Sequence, residues 1–313
     1  MLEKIKGPED LKKLNPQERQ ELIDEMRKAM LERASVHMGH VGPDLGIVEA
    51  TVALHTVFDS PKDKIVYDVS HQSYPHKMLT GRMQAYTDPA HYNDVSGYTN
   101  PDESEHDFFN VGHTSTSISL ASGLAKARDL QGGKENIIAV IGDGSLSGGM
   151  AFEGLDTVGE LGTNFIVVFN DNDMSIAENH GGMYKGIKKL RETNGQAADN
   201  LFRAFGLDYR FVADGNDVEA LIRAFEEVRD IDHPVVVHIV TQKGKGYAPA
   251  EKNKEDWHWH MPFDLATGEV REPYTDRYGE ATAAFLLQQM KKDPKLVAMT
   301  AAVPMVMGFT PER

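Results

Sequence analysis

The amino-acid sequence predicts an α/β fold in which helices flank a parallel sheet. Three short runs, 137–141, 165–169 and 235–240, are continuously apolar and rich in β-branched residues. Such runs are typical of strands that are buried on both faces. Segments of helical length separate them, and this strand–helix–strand alternation is typical of a doubly wound sheet.

The first predicted helix is marked by its start signals. Asn15 is the candidate N-cap, Pro16 takes the first helical position, and Glu18 completes a capping box. The apolar positions that follow recur on one face and predict a helix docked on the body of the fold: Leu22, Met26, Ala29 and Met30.

Later segments carry similar signals. Helices are predicted over 117–130, before Gly132 and Gly133, over 149–161, and over 218–228, with Asn216 or Asp217 as the cap. The polar, glycine-bearing residues 181–200 predict a mobile surface excursion. A helix over 279–290 and a short strand over 296–300 complete the prediction.

Composition limits the function classes. The 313 residues carry 33 Lys and Arg against 48 Asp and Glu, a net charge of −15, which excludes nucleic-acid binding by phosphate neutralisation. No apolar stretch reaches membrane-spanning length and the N-terminus lacks an apolar signal segment, so we expect a cytoplasmic protein. The chain has no cysteine, so any metal is held by oxygen or imidazole.

Residues 137–176 are the most informative stretch for chemistry. They read as strand, Gly-Asp-Gly turn, helix, strand and Asn-Asp-Asn. Because the carboxyl ends of parallel strands share one edge of a sheet, we expect Asp143 and Asn172 to lie close together. A carboxylate, an amide oxygen and a backbone carbonyl form a hard oxygen site for Mg²⁺ or Ca²⁺.

The glycines around Asp143 predict an anionic ligand. Gly142, Gly144, Gly148 and Gly149 let backbone N–H groups approach an anion at a helix start, as a diphosphate bridged by Mg²⁺ requires. A Gly-Asp-Gly by itself is more simply a tight turn. The second strand ending in Asn-Asp-Asn favours the ligand site.

Several phrases around this pattern identify a family resemblance. They are GHVGPDLGIVEATVALH (39–55), YDVSHQSYPHKMLTGR (67–82), VGHTSTSISLASGLA (111–125) and TQKGKGYAPAEK (241–252). Together with Gly-Asp-Gly and Asn172, they resemble the N-terminal half of the 1-deoxy-D-xylulose-5-phosphate synthases, a family of thiamine diphosphate enzymes. HQSYPHK and GHTSTSIS favour this family over the transketolases, its closest relatives.

The resemblance implies a domain organisation. Residues 1–270 would form the thiamine diphosphate-binding (PP) domain, and 271–313 a linker with the first helix and strand of an incomplete pyrimidine-binding domain. The glutamate that activates the cofactor would lie in that second domain. We therefore expect the chain to be part of an enzyme about twice as long, inactive by itself.

The resemblance also implies a role for individual residues. Asp143, Asn172 and the carbonyl of Met174 would bind Mg²⁺, and His40 and His258 would face the substrates as catalytic residues. The residues that would contact the cofactor are His71, His113, Ser115, Gly142, Gly144, Ser145, Ile176 and Lys243.

The implied activity is a transferase reaction that condenses pyruvate with glyceraldehyde 3-phosphate and releases CO₂. It would serve isoprenoid precursor, thiamine and pyridoxal biosynthesis in a homodimer. Two alternatives stay open: the N-terminal subunit of a split transketolase, or a non-catalytic cofactor-binding paralogue. Met38 and Ser70, where the family usually has glycine, and an atypical 301–309 segment keep the paralogue in consideration.

The histidines have structural interpretations as well. His40 and His113 lie at loop-to-helix junctions, where they and the residues of 114–117 are candidate helix caps. His76 is close to His71, and His260 alternates with His258, so one member of each pair is a candidate structural residue. The family pattern favours His71 and His258.

Overall fold

A computed structural model describes residues 1–272, 277–300, 303–304 and 306–310. The strands are β1 (Gly39–His40), β2 (Lys64–Tyr67), β3 (Ile137–Gly142), β4 (Phe165–Asp171), β5 (Asp208–Val212), β6 (Pro234–Val240) and β7 (Trp259–His260).

The α-helices fill the connections between the strands. They are α1 (Pro8–Leu11), α2 (Pro16–Ala34), α3 (Gly42–Gly46), α4 (Val48–Val57), α5 (Tyr74–Lys77), α6 (Gln84–Thr87), α7 (Ser117–Gln131), α8 (Asp143–Leu146), α9 (Gly149–Leu161), α10 (Gly182–Glu192), α11 (Leu201–Ala204), α12 (Val218–Val228), α13 (Ala248–Lys252) and α14 (Arg277–Met290). Short 3₁₀ turns lie at Leu2–Lys4 and Pro89–His91, and a π-helical turn lies at Met78–Arg82.

The central sheet has five parallel strands in the order β2-β3-β4-β6-β5. This confirms the predicted fold class and the three predicted strands, which became β3, β4 and β6. Strands β2 and β5 occupy the two edges of the sheet and were not predicted. A separate antiparallel ribbon pairs β1 with β7, with His40 opposite Trp259.

Alternate residues of each strand face two separate cores. Val140, Val168 and Val237 pack in the core that contains residues of α2, α4 and α12. Their neighbours Ala139 and Val167 pack in the core that contains residues of α7 and α9. Both faces of the sheet are therefore buried, which explains why the strands read as continuous apolar runs.

The start of α2 agrees with the prediction. The Asn15 side chain accepts a hydrogen bond from the Glu18 N–H at 3.0 Å, and the Glu18 carboxylate accepts one from the Asn15 N–H at 3.0 Å. Leu22 and Met26 are fully buried, so the helix docks on the body as expected.

Other predicted helices are confirmed with small changes at their ends. Helix α7 ends at Gln131, and Gly132 follows in the left-handed conformation with a φ of 72°. Helix α12 has the predicted bounds and is capped by Asp217. Asn216, the other candidate, instead accepts a hydrogen bond from the Gln242 N–H at 2.8 Å.

The 181–200 segment lies mostly at the surface, as predicted, but it contains a helix that was not predicted. The segment contains α10, and the side chains of Ile187 and Leu190 are buried in the core beneath α9. Met183 packs against the same core, so three apolar residues at helical spacing outweigh the polar composition of the segment.

The predicted strand over 296–300 does not form. These residues are assigned no secondary structure, and Val297 and Met299 are 76% and 96% exposed. Since a strand needs a partner for its backbone groups, an apolar run without one stays irregular. Helix α14 begins at Arg277, two residues before the predicted start, and part of the 301–309 segment lies outside the described residues.

The part of the chain described above contains no helix that is both long and apolar enough to cross a membrane.

Candidate cofactor and metal site

Asp143 links the carboxyl ends of β3 and β4. It follows Gly142, the last residue of β3, and its side chain is buried. Its carboxylate accepts hydrogen bonds from the backbone N–H groups of Asn172 at 3.2 Å, Met174 at 3.0 Å and Gly144 at 2.7 Å. Burial and the nearby Asp171 carboxylate raise the pKa of Asp143 to about 7, so a bound cation would stabilise its ionised form.

Asn172 carries the clearest sign of a ligand-binding position. Its Oδ1 atom is buried and has no hydrogen-bond partner. Buried polar atoms are nearly always paired, so an unpaired oxygen beside a carboxylate indicates a position for a ligand. Asn172 and Asp143 offer hard oxygen donors, and this donor set fits Mg²⁺.

The turn after Asn172 is held by groups that sequence reasoning missed. Asp171 is fully buried and accepts hydrogen bonds from His238 at 2.9 Å and from Arg191 at 2.8 Å. Burial raises the pKa of Asp171, but these two partners outweigh burial and lower it. Arg191 also donates to Asp173 at 2.6 Å, and Asp173 has a φ of 60°. Both neighbours of Asn172 are therefore fixed by one arginine from α10.

Two glycines of the Gly-rich stretch are required by close contacts. A Cβ atom on Gly144 would overlap Ser175, whose Cβ would be 2.9 Å away. One on Gly148 would overlap Ser115, whose Cβ would be 2.5 Å away. The N–H of Gly144 is already donated to Asp143, so the glycine is needed at least as much for packing as for contact with an anion.

Ser115 joins the 113–117 loop to this stretch. Its hydroxyl donates to the Ser145 carbonyl at 2.7 Å, and its backbone has a φ of 70°. The N–H groups of Ser115 and Ser117 both donate to Asp68 at 2.8 Å. Asp68, which follows β2 and was missed because β2 was not predicted, thus caps α7.

The predicted capping of α7 by residues 114–117 is therefore wrong. The N-cap residue Thr116 makes no side-chain capping bond, because the carboxylate of Asp68 takes the N–H groups instead. His113 is exposed, and its Nδ1 contacts the Thr114 carbonyl at 3.1 Å. Its predicted contact with the cofactor stays a prediction.

His40, His71 and His258 come together from three segments of the chain. Their ring centroids are 4.6 Å apart for His40 and His71, 5.5 Å for His40 and His258, and 5.1 Å for His71 and His258. The β1–β7 ribbon and a bond from the Val41 N–H to the His258 carbonyl at 3.4 Å position two of them. We call this cluster the histidine triad.

Burial keeps the triad uncharged. It lowers the pKa of His40 to about 4, and it holds the pKa values of His71 and His258 far below the usual range. The ammonium of Lys243 adds to these shifts. Burial also lowers the pKa of Lys243 itself to about 8, and its Nζ donates to the Ser175 carbonyl at 2.6 Å.

The structure separates the paired histidines. His76 lies in a buried network, with one ring nitrogen 2.8 Å from His55 and the other 2.9 Å from Asp107. His260 stacks on Trp257 with a centroid distance of 3.9 Å. Each has a structural environment, whereas the histidines favoured by the sequence belong to the triad.

The remaining predicted cofactor contacts lie on the same loops. Ile176 is half-buried one residue after Ser175, whose carbonyl holds Lys243. Ser145 is half-buried, and its carbonyl accepts the bond from Ser115. Both stand beside the Asp143 turn, and their role in cofactor binding stays a prediction.

Ser70 occupies the loop before His71 in a left-handed conformation with a φ of 68°. Its hydroxyl accepts a hydrogen bond from the Thr99 N–H at 3.0 Å. This bond offsets part of the cost of the conformation in a residue with a Cβ. Ser70 therefore adopts a backbone conformation that glycine would adopt at lower cost.

Comparison of the sequence with known proteins identifies its relatives. A family model described as 1-deoxy-D-xylulose-5-phosphate synthase matches residues 2–198, and one described as the thiamine diphosphate binding domain of transketolase matches residues 113–289. The 1-deoxy-D-xylulose-5-phosphate synthase of Desulfitobacterium hafniense is 42% identical, covering 99% of this chain and 55% of the relative. That of Halalkalibacterium halodurans is 40% identical, covering 97% and 54%. The chain spans about half the length of the curated relatives it matches.

Solved structures show the same fold. Transketolase from Campylobacter jejuni aligns with a TM-score of 0.62 at 20% identity, over 79% of this chain and 41% of the transketolase. Transketolase from Leishmania mexicana aligns with a TM-score of 0.62 at 18% identity, over 93% of this chain and 44% of the transketolase.

Proposed function

Because the chain belongs to the 1-deoxy-D-xylulose-5-phosphate synthase family, we propose that it provides the Mg²⁺- and diphosphate-binding part of such an enzyme. The reaction is the condensation of pyruvate with glyceraldehyde 3-phosphate and release of CO₂. The observation that carries the proposal is the buried, unpaired Oδ1 of Asn172, a residue whose backbone N–H donates to the Asp143 carboxylate.

Mg²⁺ would be held by Asp143, Asn172 and the Met174 carbonyl, with the diphosphate beside Gly142, Gly144 and Ser145. Bound thiamine diphosphate supplies the electron sink that decarboxylation requires. Asp143 and the N–H groups it accepts from fix the distance between the two loops, so the chain contributes a preformed site for the ion and the diphosphate.

His40 and His258 would act on the substrate side. His40 and His258 are uncharged, so each can donate one hydrogen bond and accept another at a substrate oxygen. Lys243 would contact the cofactor, and its pKa of about 8 keeps most of its positive charge at neutral pH. His71, His113, Ser115 and Ile176 would contact the cofactor.

We propose the PP domain for residues 1–270 and the start of a pyrimidine-binding domain for 271–313. The relatives are nearly twice as long, so the 313 residues alone are expected to bind the cofactor without turnover. A homodimer in the cytoplasm, serving isoprenoid precursor, thiamine and pyridoxal synthesis, completes the proposal.

Calorimetric titration with thiamine diphosphate and Mg²⁺ tests the site. We expect saturable binding that requires Mg²⁺ and that is abolished by Asp143→Ala. The matched control is Asp232→Ala, because the Asp232 side chain is 97% exposed. The proposal would be wrong if the unaltered protein did not bind thiamine diphosphate in the presence of Mg²⁺. It would also be wrong if the Asp143→Ala variant bound thiamine diphosphate as tightly as the Asp232→Ala control.

A further inference from the structure

The histidine triad has the chemistry of a second metal site, of a different kind from the Asp143 site. One ring nitrogen from each of His40, His71 and His258 lies within 4.8 Å of those of the other two. We propose that the triad binds a late first-row divalent ion such as Zn²⁺ or Co²⁺, and that this ion reversibly prevents His40 and His258 from contacting a substrate.

The triad is short of hydrogen-bond partners. The Nδ1 atoms of His71 and His258 are buried and unpaired. In contrast, His238 uses both ring nitrogens, one 2.7 Å from the Tyr209 hydroxyl and the other 2.9 Å from Asp171. Two rings of the triad therefore have an unpaired, buried ring nitrogen that an ion could take, whereas His238 has none.

Ligand chemistry separates the two ion sites. Neutral imidazole suits zinc, cobalt, nickel and copper, whereas carboxylate and carbonyl oxygens suit Mg²⁺. All three rings are uncharged at neutral pH, so an ion does not need to displace a proton from them. Mg²⁺ is therefore expected to bind at Asp143 and not at the triad.

The required movement is small. A zinc–nitrogen bond of about 2.0–2.1 Å places the nitrogens of a tetrahedral site about 3.4 Å apart. The ring nitrogens of the triad lie within 4.8 Å of one another, and rotation of the rings can bring them to the shorter distance. The β1–β7 ribbon holds the backbone of His40. Three protein ligands leave a fourth position for water or an exogenous ligand.

Lys243 limits the affinity. Its ammonium is close enough to depress the pKa values of the triad, and it would repel a dication. We therefore expect weaker binding than at a structural zinc site, which suits reversible inhibition.

The inhibitory consequence rests on the proposed function, because His40 and His258 are the groups expected to face the substrates. Ion binding itself does not depend on that function. Ion binding and the proposed function can therefore fail separately, because the experiment measures ion binding without requiring turnover.

The test is a titration of the protein with Co²⁺, followed by visible absorption. We expect one Co²⁺ per chain with the intense bands of a four-coordinate ion, displaced by Zn²⁺ and unaffected by Mg²⁺. His71→Gln should weaken binding by about 100-fold or more, because even the loss of a partner of a metal ligand costs about 10- to 100-fold. The control for surface binding is His233→Gln, because His233 is an exposed histidine beside two carboxylates.

Asp143→Asn distinguishes the two sites, since it should retain the Co²⁺ spectrum while losing Mg²⁺-dependent cofactor binding. A second measurement uses the unaltered protein, in which Zn²⁺ should protect the triad, but not His233, from diethyl pyrocarbonate. Retention of the bands in His71→Gln, their loss in His233→Gln, or the absence of Zn²⁺ protection would each overturn the proposal.

Discussion

The contact between Gly148 and Ser115 makes a prediction that requires no ligand. In Gly148→Ala, the new methyl group would overlap the Ser115 hydroxyl and lie 2.5 Å from its Cβ. The next atom, the Ser145 carbonyl oxygen, is at an ordinary 3.6 Å. Overpacking of this kind costs about 1–3 kcal/mol, so we expect the free energy of unfolding to fall by about 2 kcal/mol.

A second substitution separates this clash from other effects. Ser115→Gly removes both offending atoms, and it relieves a residue with a φ of 70° while losing one hydrogen bond, so its own effect should be within about 1 kcal/mol. In that background Gly148→Ala should cost little. In a Ser115→Ala background the Cβ remains, and Gly148→Ala should still cost about 2 kcal/mol.

Urea denaturation of the six proteins, followed by circular dichroism, measures these values through the transition midpoints at constant m. If Gly148→Ala cost the same in the Ser115→Gly and Ser115→Ala backgrounds, the clash with Ser115 would not be its cause and the reasoning would be refuted.

Three further predictions concern the site and the first helix. Arg191→Met should weaken Mg²⁺-dependent cofactor binding by about tenfold or more in calorimetry. Removing one partner of a buried ion pair costs about 3–5 kcal/mol, and Asp171 and Asp173, which lose this partner, flank Asn172. Lys188→Met, on the exposed face of α10, should bind the cofactor normally. His40 has a folded pKa of about 4, below its unfolded value, so its protonation disfavours the fold as the pH falls from about 6.5 to 4. Between these pH values the free energy of unfolding of His40→Gln, measured by urea denaturation, should therefore fall by up to about 3 kcal/mol less than that of the unaltered protein. An equal fall in both proteins would contradict the low pKa of His40. Asn15→Ala should lower the free energy of unfolding by about 1 kcal/mol, whereas Gln17→Ala should leave it unchanged.

The elements predicted well from the sequence are those with local signals. The capping box of Asn15 and Glu18 and the apolar runs of β3, β4 and β6 each depend on neighbouring residues, and all were confirmed. The edge strand β2 has only four residues, too few for a clear pattern. Helix α10 was missed because polar residues concealed Ile187 and Leu190, whose burial depends on the rest of the fold.

The candidate site follows the same rule. The proximity of Asp143 and Asn172 was predictable, since the carboxyl ends of parallel strands meet at one edge of the sheet. The roles of Asp68 and Asp171 were not, because each depends on partners far away in the sequence: the 113–117 loop for Asp68, and His238 and Arg191 for Asp171. An aspartate at the carboxyl end of a predicted strand is the signal that could have found Asp171, whereas Asp68 follows a strand that the sequence did not predict.

The salt bridges of Arg191 make helix α10 and the Asn172 turn a single thermodynamic unit. Since the same guanidinium holds Asp171 and Asp173, the free energy of ordering α10 and the free energy of ordering the Asn172 turn are coupled. Linkage is reciprocal, so an ion that favours the ordered turn would raise the free energy of opening α10 by the same amount by which ordered α10 strengthens binding of the ion. Hydrogen exchange at the amides of α10 would then report on an ion bound at the Asn172 turn, although α10 itself does not contact that ion.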